Sequence, residues 1–293
     1  MGLFDFFSKK NSGNQSGRAD DAMDLVSVSS SIRLPKVIAG SWPEIEKTRI
    51  NFVAIDSVPQ KDLSLEQSKF GHIPILPVDY EYPLDIKGDP MFLLAQINFA
   101  EMPALEGYPR SGYLQFYISA SDDVYGIDFD DPQNQRNFRV LFFEEKDVEK
   151  YQADFSFLEE IEASDMLPIP RSYALKFTVK EEYFGLGDVR SEKAGAVNID
   201  KFEREYPTHA DAISDYLYDN FVPSGHKVGG YAYFTQEDPR MYKDQFKEYI
   251  LLLQIDSDDD IMWGDCGVAN FFIHPDDLQR KDFSKVMYNW DCS

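Results

Sequence analysis

The sequence predicts an α+β protein, β-rich, in which an internal duplication packs two pseudo-symmetric β-rich halves into one domain. The first observation behind this is a repeat at constant spacing. Lys69-Phe70-Gly71 answers Lys227-Val228-Gly229, and Leu93-Leu94-Ala95-Gln96-Ile97-Asn98 answers Leu251-Leu252-Leu253-Gln254-Ile255-Asp256, both 158 residues apart with no gap. Six positions within residues 69–98 are identical at that spacing, where average composition gives about two by chance. The second observation is that each copy continues into another apolar run starting at glycine, Gly112 in one and Gly267 in the other, now 155 residues apart. A loop absorbs such a change. The third is the apolar payload: 23 Phe and 17 Tyr in 293 residues supply a large core and exclude a disordered acidic chain.

The elements follow in chain order. Residues 1–20 read as a flexible tail with an apolar tip, Met1 to Phe7, and residues 21–293 as the single domain. The acidic start of residues 20–25 predicts a helix onset, and residues 51–55 a short strand. Repeat one spans about 66–145. Its residues 73–78 predict an edge or irregular strand, since Pro74 and Pro77 donate no ladder bond. Residues 91–99 predict a buried strand, and 112–119 and 138–143 two more. An insert of about 146–225 holds an alternating strand at 174–180 and a helix at 211–218 whose Ala212, Ile213, Tyr216 and Leu217 share one face. These helices are expected to pack across the two halves. Repeat two, about 226–293, predicts strands at 230–234, 249–255, 268–273 and 286–290, with a short helix beginning at His274.

Charge narrows the function classes. A formal charge of −23 repels nucleic acid and anionic membrane and favours a basic protein partner. No apolar run reaches the length of a membrane span. Two cysteines and no secretory leader fit a reducing, cytoplasmic setting. Phosphate loops, nucleophile elbows and zinc spacings are missing from the sequence. No metal or cofactor is expected. The densest acidic stretch, residues 256–260, fails the calcium-loop pattern, with Ile261 and Gly267 where glycine and glutamate belong.

Residues 229–240, Leu252-Leu253-Gln254-Ile255-Asp256, Trp263-Gly264-Asp265 and residues 267–273 resemble the YwqG-like family of bacterial proteins of unknown function. Residues 94–101 resemble the same family's first-half signature. The resemblance covers about residues 25–293 and implies a mixed β-rich fold with internal duplication. It implies no activity; the placement of some relatives near toxin and immunity loci implies an interaction protein.

Candidate ligand-binding residues come from polar groups in apolar or turn-prone settings. Gln96 and Gln254 interrupt equivalent apolar strands. Glu237, Asp238 and Arg240 place two carboxylates and a guanidinium in one turn. Trp263, Asp265 and His274 lie near the second copy's motif. No catalytic residue is assigned. The expected function is non-enzymatic protein binding, immunity-like, neutralising a cationic partner. The alternative is an enzyme or small-ligand binder that uses a cleft between the repeats.

Overall fold

The computed structural model describes residues 21–121, 123–158 and 167–293. The N-terminal tip and part of the acidic stretch 144–164 lie outside the described residues. Two short strands, β1 (Leu25–Ser27) and β2 (Arg33–Pro35), pair with each other and lead into helices α1 (Lys36–Ala39) and α2 (Trp42–Lys47). Then come β3 (Ile50–Pro59), β4 (Lys69–Phe70), β5 (Phe92–Asn98), β6 (Tyr113–Ile118), β7 (Phe138–Phe143) and β8 (Tyr173–Glu182). Helices α3 (Val189–Ala194), α4 (Ile199–Glu205) and α5 (Ala210–Phe221) follow. The chain ends with β9 (Lys227–Gly229), β10 (Ile250–Asp256), β11 (Val268–Ile273), α6 (Pro275–Arg280) and β12 (Met287–Asp291).

One antiparallel sheet of ten strands runs β12-β11-β10-β9-β3-β8-β4-β5-β6-β7. The long pair β3–β8 is its middle, and four strands flank it on each side. The flanks match. Lys69 stands opposite Gln96 and Lys227 opposite Gln254. A register shift falls between Leu93 and Ala95 in β5, and another between Leu251 and Leu253 in β10. The flanks face each other across a shared aromatic core: the Phe116 and Phe271 rings lie 4.8 Å apart, and Phe138 and Tyr288 5.2 Å apart. Tyr108 of the first half donates its hydroxyl hydrogen bond to the Leu251 carbonyl of the second. Each buried ring removes enough apolar surface to stabilise the fold by roughly 1.5–3 kcal/mol.

Three expectations need correction. Residues 73–78 form no strand; they run as irregular chain with an isolated bridge from Pro77 to Tyr151. The two prolines supply no amide, and the Ile75 amide turns to the Gln96 side chain instead. Residues 230–234 also leave the sheet. Gly229 and Gly230 take φ of 72° and 81° and break the ladder. The amides of Tyr231, Ala232 and Tyr233 then bond to the side chains of Glu182, Asp188 and Gln254. Among the described residues, the buried faces of α4 and α5 do not span the two halves. Ile213 and Leu217 of α5 and Phe202 of α4 join Leu34, Ile38, Trp42 and Ile45 in a separate core. Ala212 points to solvent, so the buried stripe of α5 is narrower than its sequence implies.

Candidate functional site

The polar anchors of the two halves repeat bond by bond. Gln96 Nε2 donates to the carbonyls of Leu65 (2.7 Å) and Gln67 (3.0 Å), and Oε1 accepts from the Ile75 amide (2.9 Å). Gln254 Nε2 donates to Pro223 (3.0 Å) and Gly225 (2.8 Å), and Oε1 accepts from Tyr233 (2.8 Å). All three partners keep the 158-residue spacing. Beyond them, the Asn98 amide bonds to Ser68 Oγ (2.9 Å), and the Asp256 amide to His226 Nδ1 (3.0 Å). That last pair makes the difference between the halves, because it brings an imidazole and carboxylates to the end of β10.

There, between the end of α5 and the β10–β11 turn, lies an open cavity of about 550 Å³. Asp219, Asp256 and Asp258 line it with Tyr218, Tyr233 and Met262, and among the described residues no lysine, arginine or histidine is in the lining. Asp256 is only 7 % exposed; its carboxylate accepts from the amides of Gly225 (2.6 Å) and Ser257 (2.9 Å). Burial pushes its pKa up against those amides. Burial also raises the Tyr233 hydroxyl, to about 12, with Tyr218 and Asp256 adding to the effect. Asp258 goes the other way. Burial pushes it up, but the amides of Ile261 (2.7 Å) and Asp260 (2.8 Å) and the His226 ring outweigh that and hold it below its ordinary range.

His226 and Ser257 are already committed. Since His226 Nδ1 accepts from the Asp256 amide, Nε2 carries the proton and faces Asp258 Oδ2 at 3.1 Å. Ser257 Oγ donates to the Gly267 carbonyl (2.7 Å) and accepts from the Trp263 amide (3.0 Å). These atoms close the turn, so His226 and Ser257 do not form a base–nucleophile pair. Among the described residues, no three His, Cys, Asp or Glu side chains are grouped so as to hold a metal ion. The cavity is thus a negative, aromatic recess suited to a cation.

None of the sequence-predicted residues lines this recess. Gln254 holds the Tyr233 amide and so positions one wall; Gln96 is far off in β5. Trp263 is fully buried, edge-on to Tyr125 at 5.5 Å, and its indole Nε1 has no hydrogen-bond partner among the described residues. Asp265 is exposed in the turn, where its carbonyl accepts from the Ser293 amide. Glu237 is exposed and bonded by the Tyr242 hydroxyl. Asp238 and Arg240 do meet, at 2.6 Å, inside a buried charge cluster with Asp188. His274 caps α6 through Nδ1, accepting from the Asp276 amide, and its ring touches Tyr249. The interior between the halves, where a cleft was expected, is filled by the Phe116, Phe271 and Phe138 rings. A groove of about 400 Å³ does run between them at the rim, along β7 and residues 281–284, and none of the predicted residues lines it. Sequence reasoning missed Asp188, His226, Tyr218 and Tyr233. His226 sits next to the repeat's Lys227, which is the one signal that pointed to it.

Comparison with known families matches residues 68–292 to a domain of unknown function, DUF1963. The chain belongs to this family. No curated protein matches it. The DUF1963 segment contains the whole cavity, both anchoring glutamines and the buried charge cluster, but begins after β3.

Proposed function

We propose that this DUF1963 protein is a non-enzymatic binding protein that receives a cationic group of a basic protein partner in the cavity at the end of β10. One observation carries the reading: three carboxylates and two tyrosines line the recess, and among the described residues no basic side chain does. A lysine or arginine side chain there gains charge attraction from Asp256 and Asp258 and a π-face from the tyrosines. The overall charge of −23 draws such a partner in and supports a neutralising, immunity-like role. Membership of DUF1963 agrees with the YwqG-like resemblance and adds no activity. We also infer that the two halves descend from one duplicated unit; the shared spacing of the Gln96 and Gln254 bonds supports this.

The test uses N-acetyl-arginine amide and a short arginine-rich peptide as probes, titrated by calorimetry at low and high salt. Binding should weaken at least about tenfold in Asp256→Asn and in Tyr233→Phe/Tyr218→Ser, and with rising salt. Equal binding of the neutral citrulline analogue, or an unchanged affinity in Asp256→Asn, would sink the reading.

A further inference from the structure

The first half carries a second kind of surface, built from other residues. Segments 77–82 and 150–157 lie side by side: the Val78 amide donates to the Lys150 carbonyl (2.9 Å), the Gln152 amide to Leu76 (2.9 Å), and Gln152 Nε2 to Pro77 (3.0 Å). Phe155 and Val148 point inward to a core with Tyr113 and Phe143. Four large side chains point outward instead: Val78 is 51 % exposed, Tyr80 36 %, Tyr151 44 % and Phe157 47 %. They are not loose. Tyr80 stands edge-on to Phe143 at 5.0 Å, and Phe157 edge-on to Tyr82 at 5.1 Å. Rigid tyrosine and phenylalanine rings held in water are what binding surfaces present.

The rim supplies the sign. Residues 77–82 and 144–157 carry seven carboxylates and two lysines. One of the lysines, Lys146, is 2.7 Å from Glu144. Asp79, Glu81, Glu145, Asp147, Glu149 and Asp154 are all exposed. A second copy of this face brings the same negative rim, and like charges oppose that pairing. We propose that this face docks a cationic amphipathic segment of a partner protein, its apolar side on the four exposed side chains and its basic side on the carboxylate rim. The proposal goes beyond the cavity and stands without it.

The probe is a labelled synthetic helix with leucines on one face and lysines on the other, read by fluorescence anisotropy against the full chain. Oligolysine of equal charge is the control. The amphipathic helix should bind at least about tenfold more tightly than oligolysine. Tyr80→Ser/Phe157→Ser should remove that margin, and Asp256→Asn should leave it intact. Should the ring variant unfold, Val78→Lys/Tyr151→Lys replaces it, since among the described residues those two side chains have no ring contact to lose. Three outcomes overturn the proposal: equal binding of oligolysine, unchanged binding by the folded face variants, or a wild-type dimer in sedimentation that those variants dissolve.

Discussion

The Asp188 carboxylate at the head of α3 lies 2.9 Å from the Arg240 guanidinium, and neither side chain is exposed to water. Arg240 also reaches Asp238 at 2.6 Å and the Tyr249 carbonyl at 2.8 Å, and stacks 4.3 Å over the Phe272 ring. Asp188 in turn accepts from the Ala232 amide and from Arg190. The cluster fastens the helical insert to the second half. Because the planar fork serves two carboxylates and a carbonyl at once, lysine is a poor substitute.

Removing Arg240 strands two buried carboxylates. Arg240→Ala should destabilise by about 3–5 kcal/mol, and Arg240→Lys by more than half as much. Denaturant melts check this; a loss within the scatter of surface substitutions would contradict the bonding described.

The same cluster sets an acid limit. Burial pushes the Asp188 carboxyl up, but Arg240 and Arg190 outweigh it and hold it well below the usual carboxylate range. Its folded pKa is therefore lower than its unfolded one. The stabilisation is complete above roughly pH 4 and is lost as pH falls below that value. In Asp188→Asn, the decline of stability between about pH 4 and pH 2 should be shallower than in wild type. Parallel curves would show that Asp188 does not contribute.

Lys69 predicts a dependence at the other end. Burial lowers its pKa to about 7, with Glu101 pulling it back up, while its ammonium donates to the carbonyls of Ser64, Leu65 and Ile73. The unfolded chain keeps its proton up to roughly pH 10.4. Between about 7 and 10 the unfolded state binds more protons, so this lysine's contribution to stability rises with pH. The stability difference between wild type and Lys69→Met should move in favour of wild type across that range. A constant difference would rule the mechanism out.

Gly230 tests the backbone. A Cβ there would lie 2.2 Å from Glu182 Oε1 and 2.9 Å from Phe52 Cβ, and its φ of 81° already disfavours side chains. Gly230→Ala should cost at least about 2 kcal/mol in a thermal or denaturant melt. Its counterpart His72 carries a side chain at a φ of 68°, so the close approach of Glu182 and Phe52, more than φ alone, is what excludes a side chain at Gly230.

Much of the sheet was legible because its strands announce themselves. Residues 92–98 and 250–256 are short apolar runs with one polar break each, and a buried amide in such a run needs partners. What the sequence hid is where those partners lie. Residues 73–78 and 230–234 look like strands by composition, yet their amides serve Gln96, Glu182, Asp188 and Gln254. Asp188 lies in the insert, far along the chain from Arg240, and no local pattern joins them. The cavity needs Tyr218 of α5 to come over the turn after Asp256, which is a tertiary event. Asp238 and Arg240 were legible as a pair, but only burial tells an ion pair that holds a fold from one that meets a ligand.

The family boundary and the sheet disagree about β3. DUF1963 begins at residue 68, yet β3, residues 50–59, is stitched between β8 and β9 in the middle of the ten strands. A fragment beginning at Ser68 retains the whole recognisable signature and loses the keystone. It presents two raw edges, on β8 and on β9, each a template for pairing with another molecule. In this chain the stretch that carries kinship is therefore shorter than the stretch that must travel together for a grafted or recombined copy to fold.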